Sequence, residues 1–335
     1  MKHMRIHGIG SVVGKRVISN KDLESIVGDN FDIEKAKQPF CDWVEQLTGI
    51  KERRWTDKET TEDMMYESSK IALEDAGMDI DDIDFIISAT ETGNSIIPDP
   101  SIEIAHRLGS DWVPGFTFDA ACAGFVYGLK IAYSLIANEH YKNILLVCGE
   151  TLHKRLNKDP KTIILLADAA GAVVLGPNNE KGISSMPYVG ARYSKSISLN
   201  ENMPNDENIY DKGRNSGYII MGSGEDVFKT AVHSMVDGAR AAIKRSGFSE
   251  SEIQERAWLN IHQANLRIIE SSANRLKIPL ERTMLTIIYE GNPSAPSNIR
   301  SLDKYVKEGK VKRGDLVLIT AVGGGYKYGG AVMEY

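Results

Sequence analysis

The twelve residues FDAACAGFVYGL, residues 118–129, decide how this chain is read. The stretch GFTFDA that overlaps its start has the look of a strand. GFVYGLKIAYSLIANE, residues 124–139, reads as a long and largely buried helix. Cys122 therefore falls at the turn between them, among Ala120, Ala121, Ala123 and Gly124. A thiol at a helix N-terminus faces free backbone N–H groups and the positive end of the helix dipole, which favour the reactive thiolate. Small neighbours leave room for a substrate. The same small residues would also suit a plain strand-to-helix turn, and free cysteines are commonly core residues. From this stretch alone, nucleophile and core residue stand level.

The other two cysteines carry less signal. Cys148 sits in the apolar run NILLVCGE and reads as a small core residue, and Cys41 has no partner pattern. Three scattered cysteines in 335 residues make neither a disulfide framework nor a zinc site. They fit a reducing, cytoplasmic setting. A net charge of -6 provides no global basic field for nucleic acid or an anionic membrane. No signal-peptide core or membrane-length apolar run is expected.

Outward from the cysteine, the chain alternates helices with continuous apolar strands, which argues for an α/β protein with buried sheets. Residues 5–13 predict a strand, and NKDLESIV and DIEKAKQPFCDWVEQLTG predict short helices. TEDMMYESSKIALEDAG predicts a helix ending at Gly77, followed by the strand DFIISAT. A second copy of that pattern follows: EDVFKTAVHSMVDGARAAIKRSG ends at Gly247 and leads into the strand AWLNIH. NILLVCGE with ADAAGAVVLG is likewise echoed by DLVLITAVGGG with YGGAVMEY. The expected organisation is an N-terminal half over 1–180, a connecting insertion over 181–223 and a C-terminal half over 224–335.

Three further stretches bear on chemistry. IHQANLRII places His262 at the C-terminal end of a strand, where sites assemble in open α/β sheets. GNPSAPSNI presents the Asn292 amide at a Gly-Asn turn before a helix, and AVGGGYKYGG puts consecutive glycines at a strand end. Each alone reads equally as a solvated histidine, a capped turn or a tight hairpin.

Taken together and in order, GIGSVV, DWVEQLTGIKERRW, DAACAGFVYGL, DAAGAVVLG, VFKTAV, IHQANLRII, GNPSAPSNI and GGGYKYGG resemble the thiolase-fold condensing enzymes, and within them the β-ketoacyl-acyl-carrier-protein synthase III family. The resemblance implies a thiolase-like fold of two duplicated α/β halves in α-β-α-β-α layers. It makes Cys122 the nucleophile, His262 and Asn292 the catalytic polar pair, and the N–H groups of Cys122 and Gly324 the oxyanion donors. It also implies that Trp43, Gly224, Phe228, Lys229, Asn265 and Arg267 line or flank the passage for a phosphopantetheine arm. The implied substrates are acyl and malonyl thioesters, the implied partner is acyl carrier protein, the implied assembly is a homodimer, and no cofactor is called for.

The residues also separate the relatives. A thiolase would carry a second cysteine near the C-terminal glycines, elongating synthases use two histidines, and a papain-like protease needs a different surround at its cysteine. An acyl transferase without malonyl condensation, or a non-catalytic paralogue, stays open. Two departures stand out. Pro293 and Pro296 flank the asparagine segment, where they could shift the amide. The two positions at which the family commonly has arginines around the adenine of coenzyme A fall here at Leu47 and near Pro160. Arg155, Arg53 and Arg54 are the candidate replacements, and the expected donor is an acyl group on a carrier protein.

Overall fold

The computed structural model describes residues 3–156, 158–178, 182–183, 185–200 and 218–335. Two sheets form its frame. The first runs, in spatial order, His3–Val13, Asp168–Asn178, Ile144–Thr151, Phe85–Ala89 and Gly115–Phe118. Its first two pairings are antiparallel and its last two parallel. The second runs Tyr188–Ala191, Lys327–Glu334, Leu316–Val322 and Trp258–Ile261, again with two antiparallel pairings and then a parallel one. Where the first sheet has its fifth strand, the second has a single parallel bridge from Leu259 to Thr283. The two sheets thus repeat one topology, as the sequence echoes predict.

Strand character follows from the absence of a polar face. Every residue of Ile144–Thr151 and of Leu316–Val322 is buried, as expected of strands covered on both sides. Between the sheets lies Gly124–Ala137, the helix that starts just after the cysteine turn. It touches Ile144–Thr151 on one side and Lys327–Glu334 on the other. A helix in that place must be apolar around most of its girth, and Phe125, Val126, Leu129, Ala132, Tyr133 and Ile136 are all buried. Its counterpart, Ser297–Lys307, packs against His3–Val13 and Trp258–Ile261. Thr61–Ala76 covers the outer face of the first sheet and Gly224–Ser246 that of the second, completing five layers. Thr60 opens the former with a capping box to Asp63, and Gly77 closes it with φ 65°.

Two expectations need correction. DIEKAKQPFCDWVEQLTG is not one helix but two, Ile33–Ala36 and Phe40–Thr48. Lys37 turns left-handed and Pro39, lacking an N–H, caps the second piece. The 181–223 stretch is not wholly a connecting insertion. Tyr188–Ala191 is the edge strand of the second sheet, so that sheet draws on residues well before 224. Further along, Ile197–Asn200 pairs with Tyr218–Met221. The polar stretch between them, residues 201–217, lies outside the described residues.

Candidate active site

Cys122 sits in a single turn, Ala121–Ala123, between the end of Gly115–Phe118 and the start of Gly124–Ala137. The turn is tight enough to force Ala121 to φ 50°, which costs an L-residue roughly 1–2 kcal/mol. Its N–H is held by Asp119 Oδ1 at 2.7 Å. The other half of the molecule braces the turn from outside. At Gly323, past the end of Leu316–Val322, a Cβ would lie 2.7 Å from the Cys122 amide nitrogen and 2.9 Å from Ala120 O. Only glycine lets the second sheet's strand end close on the nucleophile turn.

Cys122, His262, Asn292 and Gly324 line one cavity of about 900 Å³. His262 follows Trp258–Ile261, and its N–H donates to Thr320 O at 2.9 Å. Its Nδ1 lies 2.7 Å from Ser297 Oγ, which in turn accepts from the Gln263 N–H at 3.3 Å. A Ser297 hydroxyl hydrogen directed at Nδ1 would leave the proton of the neutral ring on Nε2 as a donor. Burial holds His262 at about 3, so the ring is neutral throughout the physiological range.

Asn292 is set by tertiary contacts rather than by its neighbours. Its N–H donates to Leu165 O and its carbonyl accepts from Ala167 N, both at 2.9 Å. Its side-chain Oδ1 accepts from Ser294 N at 2.9 Å, which leaves Nδ2 as the donor end, 3.4 Å from Ala264 O. Pro293 and Pro296 therefore do not displace the amide from the cavity. The strain of the segment shows instead at Ser294, with φ 63°.

The helix N-terminus is not the only influence on the Cys122 thiol. The side chain is half-buried and lines the cavity. Burial pushes the thiol up to about 12, and the nearby Glu91 charge adds to this. The Ser294 hydroxyl beside the thiol pulls the other way but does not prevail. Cys148 is fully enclosed and inert by comparison, also raised by burial.

Of the passage residues, Trp43, Gly224, Phe228, Asn265 and Arg267 line the cavity. Lys229 does not, and its Nζ is 2.6 Å from Glu225. Asn265 is spent locally: Oδ1 caps Leu266–Leu276 and Nδ2 donates to Leu47 O. Leu47 lines the cavity, as does Lys161 beside Pro160, a cation the sequence reading passed over. Arg53 is no phosphate ligand. It is buried and donates to Ile18 O, Asn20 Oδ1 and Ile164 O. Arg155 is 1% exposed and lies inside the site, its Nη2 3.4 Å from Glu91 O. Sequence reasoning also gave no role to Ser297, Glu91 or Glu150.

Comparison with known proteins agrees with this geometry. Residues 116–190 match the model for 3-oxoacyl-[acyl-carrier-protein (ACP)] synthase III, and residues 243–335 match the model for its C-terminal part. A beta-ketoacyl-[acyl-carrier-protein] synthase III of Xanthomonas campestris pv. campestris (strain 8004) is 36% identical over 99% of this chain and 98% of its own length. That of Coxiella burnetii (strain RSA 493 / Nine Mile phase I) is 37% identical over 100% of both. The crystal structure of 3-oxoacyl-[acyl-carrier-protein] synthase III from Aquifex aeolicus VF5 superposes with a TM-score of 0.86 at 35% identity, covering 99% of this chain and 100% of that one. With the duplicated five-layer frame, the cysteine turn and the likeness running the whole length of the chain, this protein belongs to the 3-oxoacyl-[acyl-carrier-protein] synthase III family of thiolase-fold condensing enzymes.

Proposed function

We propose that this enzyme condenses an acyl thioester with a malonyl thioester, releasing carbon dioxide and a 3-ketoacyl thioester, through an acyl group carried on Cys122. The observation that carries the reading is the meeting of Cys122, His262 and Asn292 in one cavity, drawn from both halves of the chain.

Acylation comes first. Cys122 attacks the acyl carbonyl, and the Cys122 and Gly324 N–H groups receive the oxyanion. The malonyl thioester then enters. The Nε2–H of neutral His262 and the Asn292 amide donate to its thioester carbonyl, and the enolate formed as carbon dioxide leaves attacks the acyl-enzyme. Neutral donors suit this step because they hold the oxygen without giving up a proton. Loss of carbon dioxide drives bond formation, so the chemistry asks for no metal or redox group.

Apolar side chains including Ile164, Ile197, Ile219, Met221 and Val227 line the cavity, which supports an apolar acyl chain. Arg53 is committed to Ile18 O, Asn20 Oδ1 and Ile164 O, and Leu47 cannot stack on an adenine as a guanidinium would, although Arg155 and Arg267 line the cavity. This supports an acyl group on acyl carrier protein as donor, with coenzyme A esters weaker. Supplying one acyl chain on each carrier and following Cys122 acylation tests this, and faster acylation from coenzyme A overturns it. A homodimer fits the free edge of Gly115–Phe118, next to exposed Ile96, Ile97 and Trp112. Sedimentation would check it. No helix among the described residues is long and apolar enough to cross a membrane, in keeping with a cytoplasmic enzyme.

A further inference from the structure

The cavity that His262 and Asn292 line also holds a group the mechanism has not used. Glu91 lies two residues beyond the end of Phe85–Ala89 and lines the cavity with Cys122. Its backbone is braced. The N–H donates to Glu150 Oε1 at 2.9 Å and the carbonyl faces Arg155 Nη2. The next residue is tied in as well, Thr92 N–H donating to Thr90 Oγ1 at 3.0 Å and Thr92 Oγ1 to Glu150 Oε2. The carboxyl group is not braced: Oε1 is enclosed with no hydrogen-bond partner. Buried carboxylates are ordinarily saturated with donors, so an enclosed oxygen left without one beside a nucleophile asks for a reason.

We propose that the Glu91 carboxylate is the base of the acylation step, taking the proton from Cys122 Sγ and delivering it to the departing carrier thiol. This rests on the acyl-enzyme reading above. As the Sγ–C bond forms, the Sγ–H proton passes to Glu91, directly or through one water. As the tetrahedral intermediate collapses, the bond from carbon to the carrier sulfur breaks. The leaving thiolate takes the proton from Glu91, giving a neutral carrier thiol and a carboxylate again. After condensation Cys122 departs as a thiolate and one solvent proton restores it.

The charges around Glu91 fit this role. Burial raises it to about 7, Asp119 adds to the rise, and Lys327 and Arg155 pull it down. Glu150 behind it is also raised, by burial and by Glu91 itself, so the two do not both ionise readily near neutral pH. A thiol near 12 needs a partner to lose its proton, and His262 near 3 is a far weaker base than Glu91. A base titrating near the working pH is the efficient one.

A bystander charge and a base predict opposite signs. Removing a mere negative neighbour would ease thiolate formation and speed acylation, whereas removing the base slows it. The experiment is single-turnover acylation of the full chain by an acyl-N-acetylcysteamine thioester from pH 5.5 to 9, read as the intact-mass adduct on Cys122. Wild-type rates should rise through an inflection near neutral pH and level off. Glu91→Gln should be about 100-fold slower at pH 7, its rate climbing with hydroxide and showing no inflection. Glu91→Asp should regain part of the rate together with the inflection. Malonyl decarboxylation, which needs only the His262 flank, should persist in Glu91→Gln and so report an intact site. A Glu91→Gln rate equal to or above wild type overturns the proposal. If Glu91→Gln loses decarboxylation too, Glu91→Asp decides, and a profile without the inflection overturns it. A wild-type protein that forms no Cys122 adduct defeats the acyl-enzyme reading as well.

Discussion

The two halves share a frame and differ in what their strand ends carry. Ala89 pairs with Cys148 in the first sheet as Ile261 pairs with Thr320 in the second. One position on, the first half has Thr90 and then Glu91, and the second has His262 and then Gln263. The first half ends in a nucleophile with buried carboxyls behind it. The second ends in two neutral donors, His262 and Asn292. Duplication therefore supplies one scaffold twice, and on the proposed mechanism a handful of end residues divides the chemistry into a half that holds the acyl group and a half that holds the enolate.

The largest test of that division is the cysteine itself. Cys122→Ala should abolish the adduct and lower condensation by at least about 10⁴-fold, as loss of a nucleophile does. Cys148→Ala, in the same half but walled into the core, should keep the adduct. It should lose only about 1 kcal/mol of stability, read from urea unfolding. An adduct that moved to Cys148 or Cys41 would break the comparison outright.

Next comes the other half. His262→Ala or Asn292→Ala should each slow condensation by about two decades, near 3 kcal/mol, while acylation of Cys122 stays within a few-fold of wild type. An Asn292→Ala enzyme that condensed normally would return the chain to an acyl transferase without malonyl chemistry. Equal losses in both half-reactions would erase the division between the halves.

How far these endings can be read from sequence differs between them. The cysteine turn, the strand before His262 and the turn at Asn292 are local patterns, because small residues, alternating elements and a Gly-Asn pair each dictate backbone within a few residues. Glu91 sits in SATETGNS and Glu150 ends an apolar strand, and nothing nearby in the chain announces either. Their importance comes from being enclosed together, which only the sheet creates. Ser297 lies in the turn segment GNPSAPSNI, and its bond to His262 spans elements far apart in sequence. Arg155 shows the same limit, since an arginine in a basic loop reads as exposed until packing encloses it. Pro39, by contrast, was a visible helix breaker and should have divided the helix at once.

A smaller effect sharpens the picture of His262. Ser297→Ala should cut condensation by about tenfold through loss of the Nε2–H tautomer, leaving Cys122 acylation untouched. Ser297→Thr, which keeps the hydroxyl, should recover part of the rate; loss in both half-reactions would mark Ser297 as structural only. The smallest effect concerns acid stability. His262 near 3 in the folded chain, against about 6.5 unfolded, means the unfolded state binds more protons between those values. Stability should then fall as pH drops through that window, by up to about 1.4 kcal/mol per unit. His262→Gln should flatten the slope in urea titrations from pH 6.5 to 4.5, and an unchanged slope would show that the ring is charged where it sits.

The contact between Gly323 and the cysteine turn also bears on how the protein is made. Synthesis runs from the N-terminus, so a nascent chain carries Cys122 long before the strand end that presses against it has been translated. Until that late segment arrives, the turn at Ala121 has only the local hold of Asp119 on its N–H and lacks the wall that Gly323 closes against it. A chain stopped before Gly323 would carry the thiol without the complete cavity around it.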